Sequence, residues 1–197
     1  MNSFSLISFL NSNLNVGENE LASIIENCET KVFKKDQFLL REGEKCRHTF
    51  YVERGLLRQY SIDEKGKEHI LNFGPENWFI TDRASVFFDE SSDYFIQAVE
   101  DTKVVLINEE TIGLLTQKIS SFADFNTRLL HNHIRQLQKR VNQLLSVEAE
   151  ERYLDFVKMY PDILLRVPQT MVASYLGITP ESLSRVRKGL ADSNFKK

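Results

Sequence analysis

The sequence predicts an α+β protein made of a β-sandwich or small barrel, a long helix and a C-terminal helix-turn-helix. Short apolar runs separated by turn signals follow one another from residue 31 to residue 107. A narrow apolar seam then runs along a polar helical stretch, and a pair of short helices is encoded at residues 167–190. The expected regions are an N-terminal domain over 1–120, a long helix over 121–147 and a helix-turn-helix domain over 148–197.

Composition limits the classes of protein to consider. The 197 residues are 42% hydrophobic and 27% charged with few glycines and prolines, which is typical of a globular chain and not of a disordered or collagen-like one. No run of eighteen apolar residues occurs, and the first ten residues lack the basic flank and cleavage site of a secretory signal. We therefore expect a cytoplasmic protein with no membrane partner.

The two cysteines, Cys28 and Cys46, are too few for a disulfide framework. A cysteine-ligated iron–sulfur cluster needs about four thiolates, so that cofactor is excluded in its usual form. A redox disulfide would require Cα atoms about 6 Å apart, and two inert thiols are the simpler interpretation. We predict neither a cofactor nor a metal site.

Catalytic motifs are absent from the sequence. The closely spaced histidines His131 and His133 fall on a predicted helix, where side chains two residues apart point about 200° apart and cannot share a metal ion. Motifs of nucleophilic, phosphate-transfer or zinc-protease catalysis do not occur. We predict a protein that is not an enzyme. The alternative is a ligand-binding, cupin-like jelly-roll protein or enzyme whose helical tail is only structural.

Residues 31–107 have the spacing of an antiparallel β protein. Glycine and acidic turns at Gly43, Gly55, 63–66 and 74–77 separate the apolar runs. This pattern favours a sandwich or small barrel over strand–helix–strand units. The predicted strands lie in KVFKK, QFLLREG, HTFYVERG, LLRQYSI, KEHILNFG, YFIQAVE and KVVLI.

The predicted long helix carries a seam with coiled-coil spacing. Its apolar residues alternate steps of four and three, while the remaining positions are mostly polar. The apolar stripe is therefore narrower than the face of a helix that packs broadly on its own domain. We expect two chains to pair along it, and the alternative is a helix that lies on its own β domain. The seam residues are Leu130, Ile134, Leu137, Val141 and Leu144.

Residues 167–190, VPQTMVASYLGITPESLSRVRKGL, meet the requirements of two short helices joined by a tight turn. Ala173 is a small residue where the helices cross, and Gly177 supplies the positive φ of the turn. Thr179 is a good N-cap, and Pro180 suits the first position of the second helix. The side chains expected to face inward are Val172, Leu176, Ile178, Leu183, Val186 and Leu190.

The outward face of the second helix has the chemistry of a DNA-reading surface. Short polar side chains stand beside arginine and lysine, and such groups fit base edges and phosphates in a major groove. The net charge of the chain is −3, so the positive surplus in this tail is local. The alternative is an ordinary helical hairpin with a solvated basic face. The predicted DNA-binding residues are Thr179, Glu181, Ser182, Ser184, Arg185, Arg187 and Lys188.

This order of regions, together with EERYLDFVKMYPDILLRVPQTMVASYLGITPESLSRVRK (150–188), resembles the cyclic-AMP receptor/FNR (Crp/Fnr) family of bacterial transcription regulators. The closest resemblance is to its short Bacteroidetes members. The resemblance implies a cyclic-nucleotide-binding-like jelly roll that senses a small molecule. It also implies a homodimer paired by the long helix, which binds a pseudo-palindromic site on double-stranded DNA and contacts RNA polymerase.

The resemblance also implies roles for single residues of the second helix. Thr179 matches a phosphate contact, and Glu181 and Arg185 match base-reading positions, with Ser184 and Lys188 beside them. Relatives often carry an arginine immediately before that glutamate, where this chain has proline. The segment between the preceding helix and the helix pair leaves little room for a full wing. We therefore expect a reduced winged helix with fewer flanking contacts.

The resemblance further implies an effector site in the jelly roll. In cyclic-AMP-binding relatives, a glycine–glutamate pair and an Arg–Ser pair hold the cyclic phosphate. In the matching stretch, 72–101, Asp82 stands in place of the glutamate, and the arginine position falls in an acidic loop without arginine. Burying a phosphate there without a counter-ion is costly. We expect an unknown effector other than cyclic AMP, near Asp82, Arg83, Ser91, Ser92 and Asp93. The other possibility is a pocket filled by side chains such as Trp78, Phe79, Phe87 and Phe88.

Overall fold

The computed structural model describes residues 5–14 and 16–194, with side chains described as far as Asp192. The chain divides into two compact units, Met1–Ile62 with Leu71–His131 and Asp63–Ile70 with Asn132–Lys197. The functional division at residues 120 and 147 stays a prediction, and its outermost residues, 1–4 and 195–197, lie outside the described ones.

Two four-stranded sheets form the β region, with the strand orders β1-β8-β3-β6 and β2-β7-β4-β5. The pairs β1–β8, β3–β8, β3–β6, β2–β7 and β4–β7 are antiparallel. All seven apolar runs form strands, which confirms the predicted sandwich, and the sequence analysis missed only the two-residue β6. The strands are β1 (Thr30–Phe33), β2 (Phe38–Leu40), β3 (Thr49–Arg54), β4 (Leu57–Ile62), β5 (Glu68–Gly74), β6 (Phe79–Ile80), β7 (Phe95–Ala98) and β8 (Thr102–Ile107).

The helices precede the sheets, interrupt them once and then follow them. The longest described helix, α5, covers nearly the range predicted for the long helix. None of the helices in the described part of the chain is long and apolar enough to cross a membrane. The helices are α1 (Leu6–Leu14), α2 (Glu18–Ile25), α3 (Arg83–Phe88), α4 (Glu109–Lys118), α5 (Phe122–Ser146), α6 (Ala149–Met159), α7 (Ile163–Arg166), α8 (Gln169–Leu176) and α9 (Pro180–Asn194).

Strand β3 contributes to two separate hydrophobic cores of the first unit. Successive side chains of a strand point to opposite faces, so Phe50 and Val52 face one core and Tyr51 the other. The inner core lies between the sheets and contains Leu40, Leu57, Ile80, Ile96, Ala98 and Val104. The outer core joins the first sheet to helices and contains Leu6, Leu10, Leu21, Ile24, Leu115 and Phe122.

The expectation that aromatic side chains fill the pocket between the sheets is wrong for three of them. Phe79 packs on the outer core, with its ring centroid 5.0 Å from that of Tyr51. Phe87 and Phe88 are 63% and 74% exposed, because α3 forms here and directs them to solvent. The interior of the roll is lined mainly by aliphatic side chains instead.

Candidate nucleic-acid interface

The two short helices at the end of the chain form as the sequence predicts. Gly177 ends α8 with a φ of 67°, and its N–H donates to the carbonyl of Ser174. The hydroxyl of Thr179 accepts from the N–H of Ser182 at 3.2 Å, which is an N-cap, and α9 begins at Pro180. The inward side chains Val172, Ala173, Leu176 and Leu183 are buried.

Three apolar side chains of this region are less buried than expected. Ile178 is half-buried because it lies in the turn between the two helices. Val186 and Leu190 are also half-buried, so the second half of α9 packs less completely than its first turn. No strand occurs between residues 148 and 194, where the short helix α7 takes the place available for a wing.

A chain of hydrogen bonds orders the first turns of α9. The hydroxyl oxygens of Thr179 and Ser182 lie 3.2 Å apart, and Nη2 of Arg185 donates to the Ser182 hydroxyl at 3.1 Å. Ser182 is half-buried, so it is better placed to hold Arg185 than to reach a partner itself. The remaining predicted contact residues are exposed: Glu181, Ser184, Arg185, Arg187 and Lys188.

The electrostatics of this turn favour a negative Glu181 beside a positive Arg185. A hydrogen bond from its own backbone N–H lowers the pKa of the Glu181 carboxyl, and the Thr179 hydroxyl and the Arg185 charge lower it further. The surface therefore presents an ionised acceptor and a planar donor one turn apart. A carboxylate matches the amino group of cytosine, and a guanidinium matches the two acceptors of guanine.

The apolar seam of α5 lies open along the single chain. Its five predicted residues, Leu130, Ile134, Leu137, Val141 and Leu144, are 39%, 42%, 51%, 55% and 44% exposed. The sequence analysis missed Leu145, which is 82% exposed and lies beside the seam. A groove of about 430 Å³ follows this face and is lined by Ile134, Leu137, Gln138, Val141, Asn142 and Leu145.

The residues predicted for the effector pocket fall into buried and exposed groups. Asp82 is buried and its carboxylate accepts from the N–H groups of Ala84 and Ser85, which caps α3. Ser92 is also buried and hydrogen-bonds through its hydroxyl to the backbone of Tyr94. Arg83 is half-buried, and burial lowers the pKa of its guanidinium. Ser91 and Asp93 are exposed.

The two thiols are free and belong to different cores. Cys28 packs at the edge of the outer core, where burial raises the pKa of its thiol, and Cys46 is buried in the inner core. Among residues 5–14 and 16–194, no group of three or more histidine, cysteine or acidic side chains is arranged to hold a metal ion.

Comparison with known proteins relates this architecture to bacterial regulators. Residues 30–118 match the family model described as "Cyclic nucleotide-binding domain". The anaerobic regulatory protein of Aggregatibacter actinomycetemcomitans is 26% identical over 178 residues, which cover 85% of this chain and 68% of that protein. The fumarate and nitrate reduction regulatory protein of Yersinia pestis is 26% identical over 187 residues, covering 89% and 73%. The chain is therefore similar over most of its length to bacterial regulatory proteins, and residues 30–118 resemble a cyclic nucleotide-binding domain.

Solved structures share the fold of this chain. FixK2 from Bradyrhizobium japonicum superposes with a TM-score of 0.72 at 19% identity, covering 85% of this chain and 86% of that one. A CooA mutant from Carboxydothermus hydrogenoformans gives the same TM-score and identity, covering 94% and 84%. These likenesses extend the shared fold beyond the matched domain.

Sequence reasoning missed the contacts that join α5 to the helices after it, all within the second unit. The guanidinium of Arg140 lies over the ring of Tyr175, 3.8 Å from its centroid, and Nη2 donates to the Tyr175 carbonyl. Burial lowers the pKa of Arg140. The sequence shows Arg140 only as one polar residue beside the seam, because its partner lies 35 residues away.

A second set of polar contacts links α5 with α6. Nζ of Lys139 lies 2.8 Å from the Asp155 carboxylate, and Nε2 of Gln143 donates to the same oxygen at 2.6 Å. The hydrogen bond from Lys139 is the main cause of a lowered Asp155 pKa. Nη1 of Arg152 donates to the carbonyls of Gln143 and Val147, which lie at the end of α5. The Val147 carbonyl lies just beyond the end of α5, whereas the Gln143 carbonyl also accepts from the N–H of Val147.

The first helix of the pair is also held from residues 63–70. The hydroxyl of Ser174 accepts from the N–H of Ile70 at 3.0 Å and donates to the carbonyl of Glu68 at 2.9 Å. One side chain thus bonds a donor and an acceptor of the same strand segment. Asp63 orders the preceding turn by accepting from the N–H groups of Lys65 and Lys67.

Proposed function

We propose that this chain is a DNA-binding transcription regulator of the Crp/Fnr family that acts as a homodimer. The observation that carries the proposal is the exposed face of α9, where Arg185 is held by Ser182 beside an ionised Glu181. Such a preordered donor and acceptor suit base edges in a major groove, whereas a merely solvated helix face has no need of this order. The names of the curated relatives support the same function.

Two chains pair along the seam of α5, because its open apolar side chains are the repeating kind that a coiled coil buries. The pair presents two copies of α9 about one turn of DNA, roughly 34 Å, apart on a pseudo-palindromic site. In this arrangement, Glu181 and Arg185 read bases, with Ser184 beside them. Thr179, Arg187 and Lys188 contact the phosphate backbone.

The β roll is the sensor domain, and its effector is not cyclic AMP. Residues 84–101 contain neither arginine nor lysine to neutralise a cyclic phosphate. The carboxylate of Asp82 caps α3 instead of facing a ligand, and Ser92 is bonded to its own loop. Arg83 supplies the one cationic side chain among the five predicted pocket residues, against the two carboxylates of Asp82 and Asp93.

Effector occupancy shifts the population of DNA-competent dimers through the junction of α5 and α6 at residues 146–150. The protein works in the cytoplasm, contacts RNA polymerase and does no catalysis.

Titration of a random-sequence duplex with the full chain tests DNA binding directly. We expect binding that weakens steeply between about 50 and 200 mM salt, since phosphate contacts release counterions. The Arg185→Ala/Lys188→Ala variant should bind more weakly with a shallower salt dependence. A chain that binds no duplex at the lowest salt, or a variant with unchanged binding, would contradict the proposal.

A further inference from the structure

We propose that Arg140 is a positioning residue that sets which half-site spacing the DNA-bound dimer accepts. This inference rests on the proposed function, because it concerns how two copies of α9 are held relative to one another. Arg140 belongs to α5, the helix that carries the dimer seam, yet its guanidinium contacts Tyr175 on α8, the helix immediately before the turn to α9.

Both contacts of Arg140 depend on the shape of its side chain. A guanidinium is planar and carries several donors in a fixed fork, so it can stack on a ring and donate in its own plane. The acceptor is the carbonyl of Tyr175 at the C-terminal end of α8, where the helix dipole is negative. A lysine ammonium keeps the charge but cannot stack and donate in one rigid geometry.

The partner of Arg140 is itself fixed in the core of the helix-turn-helix region. Tyr175 is 7% exposed, and its ring lies 5.1 Å from that of Phe156 and 5.8 Å from that of Tyr160, centroid to centroid. A rotation of α8 about α5 therefore breaks the Arg140 contacts or disturbs this aromatic cluster. Arg140 thus connects α5 to a rigid part of the DNA-reading region and not to a loop.

The contact face and the seam lie on the same stretch of α5. At about 100° per residue, Arg140 lies roughly a quarter of a turn from the middle of the seam, and Gln143 lies on the same side, roughly two fifths of a turn away. Leu144 lies between the two faces, and a Cβ added at Gly177 would stand 3.0 Å from its Cδ2 atom. One face of α5 thus carries the proposed dimer seam, and the neighbouring face of the same helix contacts α8 of its own chain.

This arrangement determines the separation of the two copies of α9. If residues 147–148 were the sole connection to α5, the helices α6–α9 of each chain could change their orientation. The dimer would then accept half-sites at several separations. The bonds of Lys139, Gln143 and Arg152 hold α6 to α5, and Arg140 extends this connection to α8, the helix next to α9. The two copies of α9 then keep one separation, because the paired α5 helices form a common frame. The chain should therefore discriminate strongly between inverted repeats that differ only in spacing.

The test uses the full chain and duplexes that carry the preferred half-sites at centre-to-centre separations varied in steps of one base pair. Wild-type protein should strongly prefer one separation over its neighbours. In Arg140→Lys that preference should fall by about tenfold, the size that one charged hydrogen bond can carry. Tyr175→Leu keeps the backbone carbonyl that accepts this bond but removes the ring under the guanidinium, so it should lower the preference independently and by less. Base preference within a half-site and the dimer mass by light scattering should stay unchanged.

Arg135→Lys is the matched control, since Arg135 is exposed on the same helix and the change is chemically identical. This variant should keep the wild-type spacing preference. An unchanged spacing preference in both Arg140→Lys and Tyr175→Leu would overturn the role of Arg140 and leave the proposed function standing. So would an equal loss of affinity at every spacing, which indicates general weakening. A wild-type chain that selects no inverted repeat would overturn the proposed function, and this inference with it.

Discussion

At the scale of single residues, the first turns of α9 show how a local signal in the sequence becomes an ordered surface. Thr179 caps the helix through the N–H of Ser182, and the Ser182 hydroxyl in turn accepts from Arg185. Holding a long arginine side chain in place before binding reduces the conformational entropy lost when it meets a base. The cap therefore contributes to helix stability and to the order of the reading surface.

Replacing Arg185 with alanine should relax sequence preference at one base step. The expected cost is about 1–3 kcal/mol on the preferred site, with a much smaller effect on random DNA. Lys188→Ala is the comparison, because a lost phosphate contact should weaken binding to both duplexes about equally and reduce the salt slope by about one. Binding isotherms on the two duplexes measure both effects. Equal losses for Arg185→Ala on specific and random DNA would contradict a base-reading role.

These residues were predictable because every requirement of the turn lies within about a dozen positions. A glycine with positive φ, a capping threonine and a proline at the first helical position are all local signals. Arg140 gives no such signal, since its role depends on Tyr175, which only the tertiary fold brings close. Ile178 was predicted too deep in the core because a pattern of apolar residues does not reveal how far a turn protrudes.

At the scale of secondary-structure elements, the contacts between α5 and α6 give the second unit a pH-dependent stability. The hydrogen bond from Lys139 is the largest cause of the lowered Asp155 pKa. A carboxyl whose pKa is lower in the folded than in the unfolded chain stabilises the fold at pH values above the unfolded pKa. This stabilisation is lost as the pH falls through the pKa of the folded state. The ordinary value for this carboxyl is 3.8.

Asp155→Asn should therefore destabilise the chain at pH 7, and the difference in the free energy of unfolding should shrink as the pH falls below about 4. Urea unfolding at several pH values measures it. In a Lys139→Gln background the effect of Asp155→Asn should be smaller at pH 7, because the main partner is gone. If the free energies of unfolding of wild type and Asp155→Asn differ by the same amount from pH 7 to pH 3, the Asp155 charge adds no stability.

The exposed seam of α5 leads to a prediction about assembly. Leu137→Asp combined with Val141→Asp should give monomers, since pairing would bury four carboxylates in an apolar seam. Both positions are about half exposed in the single chain, so its fold should tolerate the change. Leu165→Asp is the control, because Leu165 is 89% exposed on α7 and lies away from the seam. Light scattering that still reports a dimer for the double variant would place the interface elsewhere.

Elements of different length were predictable to different degrees. The seven longer strands were visible because apolar runs bounded by turns persist over several residues, whereas β6 has only two. The helix α3 was missed because its six residues are too few for a helical period to show. As a result, Phe87 and Phe88 were expected in the interior although the helix exposes them.

At the scale of the whole molecule, we propose that sensing, pairing and DNA reading belong to successive parts of the chain. The outer and inner cores give the β roll a stable frame, and α5 carries the exposed seam along which we propose that two chains pair. The contacts of Arg140, Lys139 and Arg152 then join the later helices to α5. The proposed dimer explains how so short a helix pair could suffice, since two copies would bind one site.

The measurement that tests the central claim most directly is selection of binding sites from a random DNA pool by the purified full chain, with and without cyclic AMP. The account predicts enrichment of an inverted repeat whose sequence and yield do not depend on the nucleotide. Enrichment only in the presence of cyclic AMP would contradict the assignment of the β roll to another effector. A pool that shows no enriched sequence under either condition would contradict the claim that α9 reads DNA.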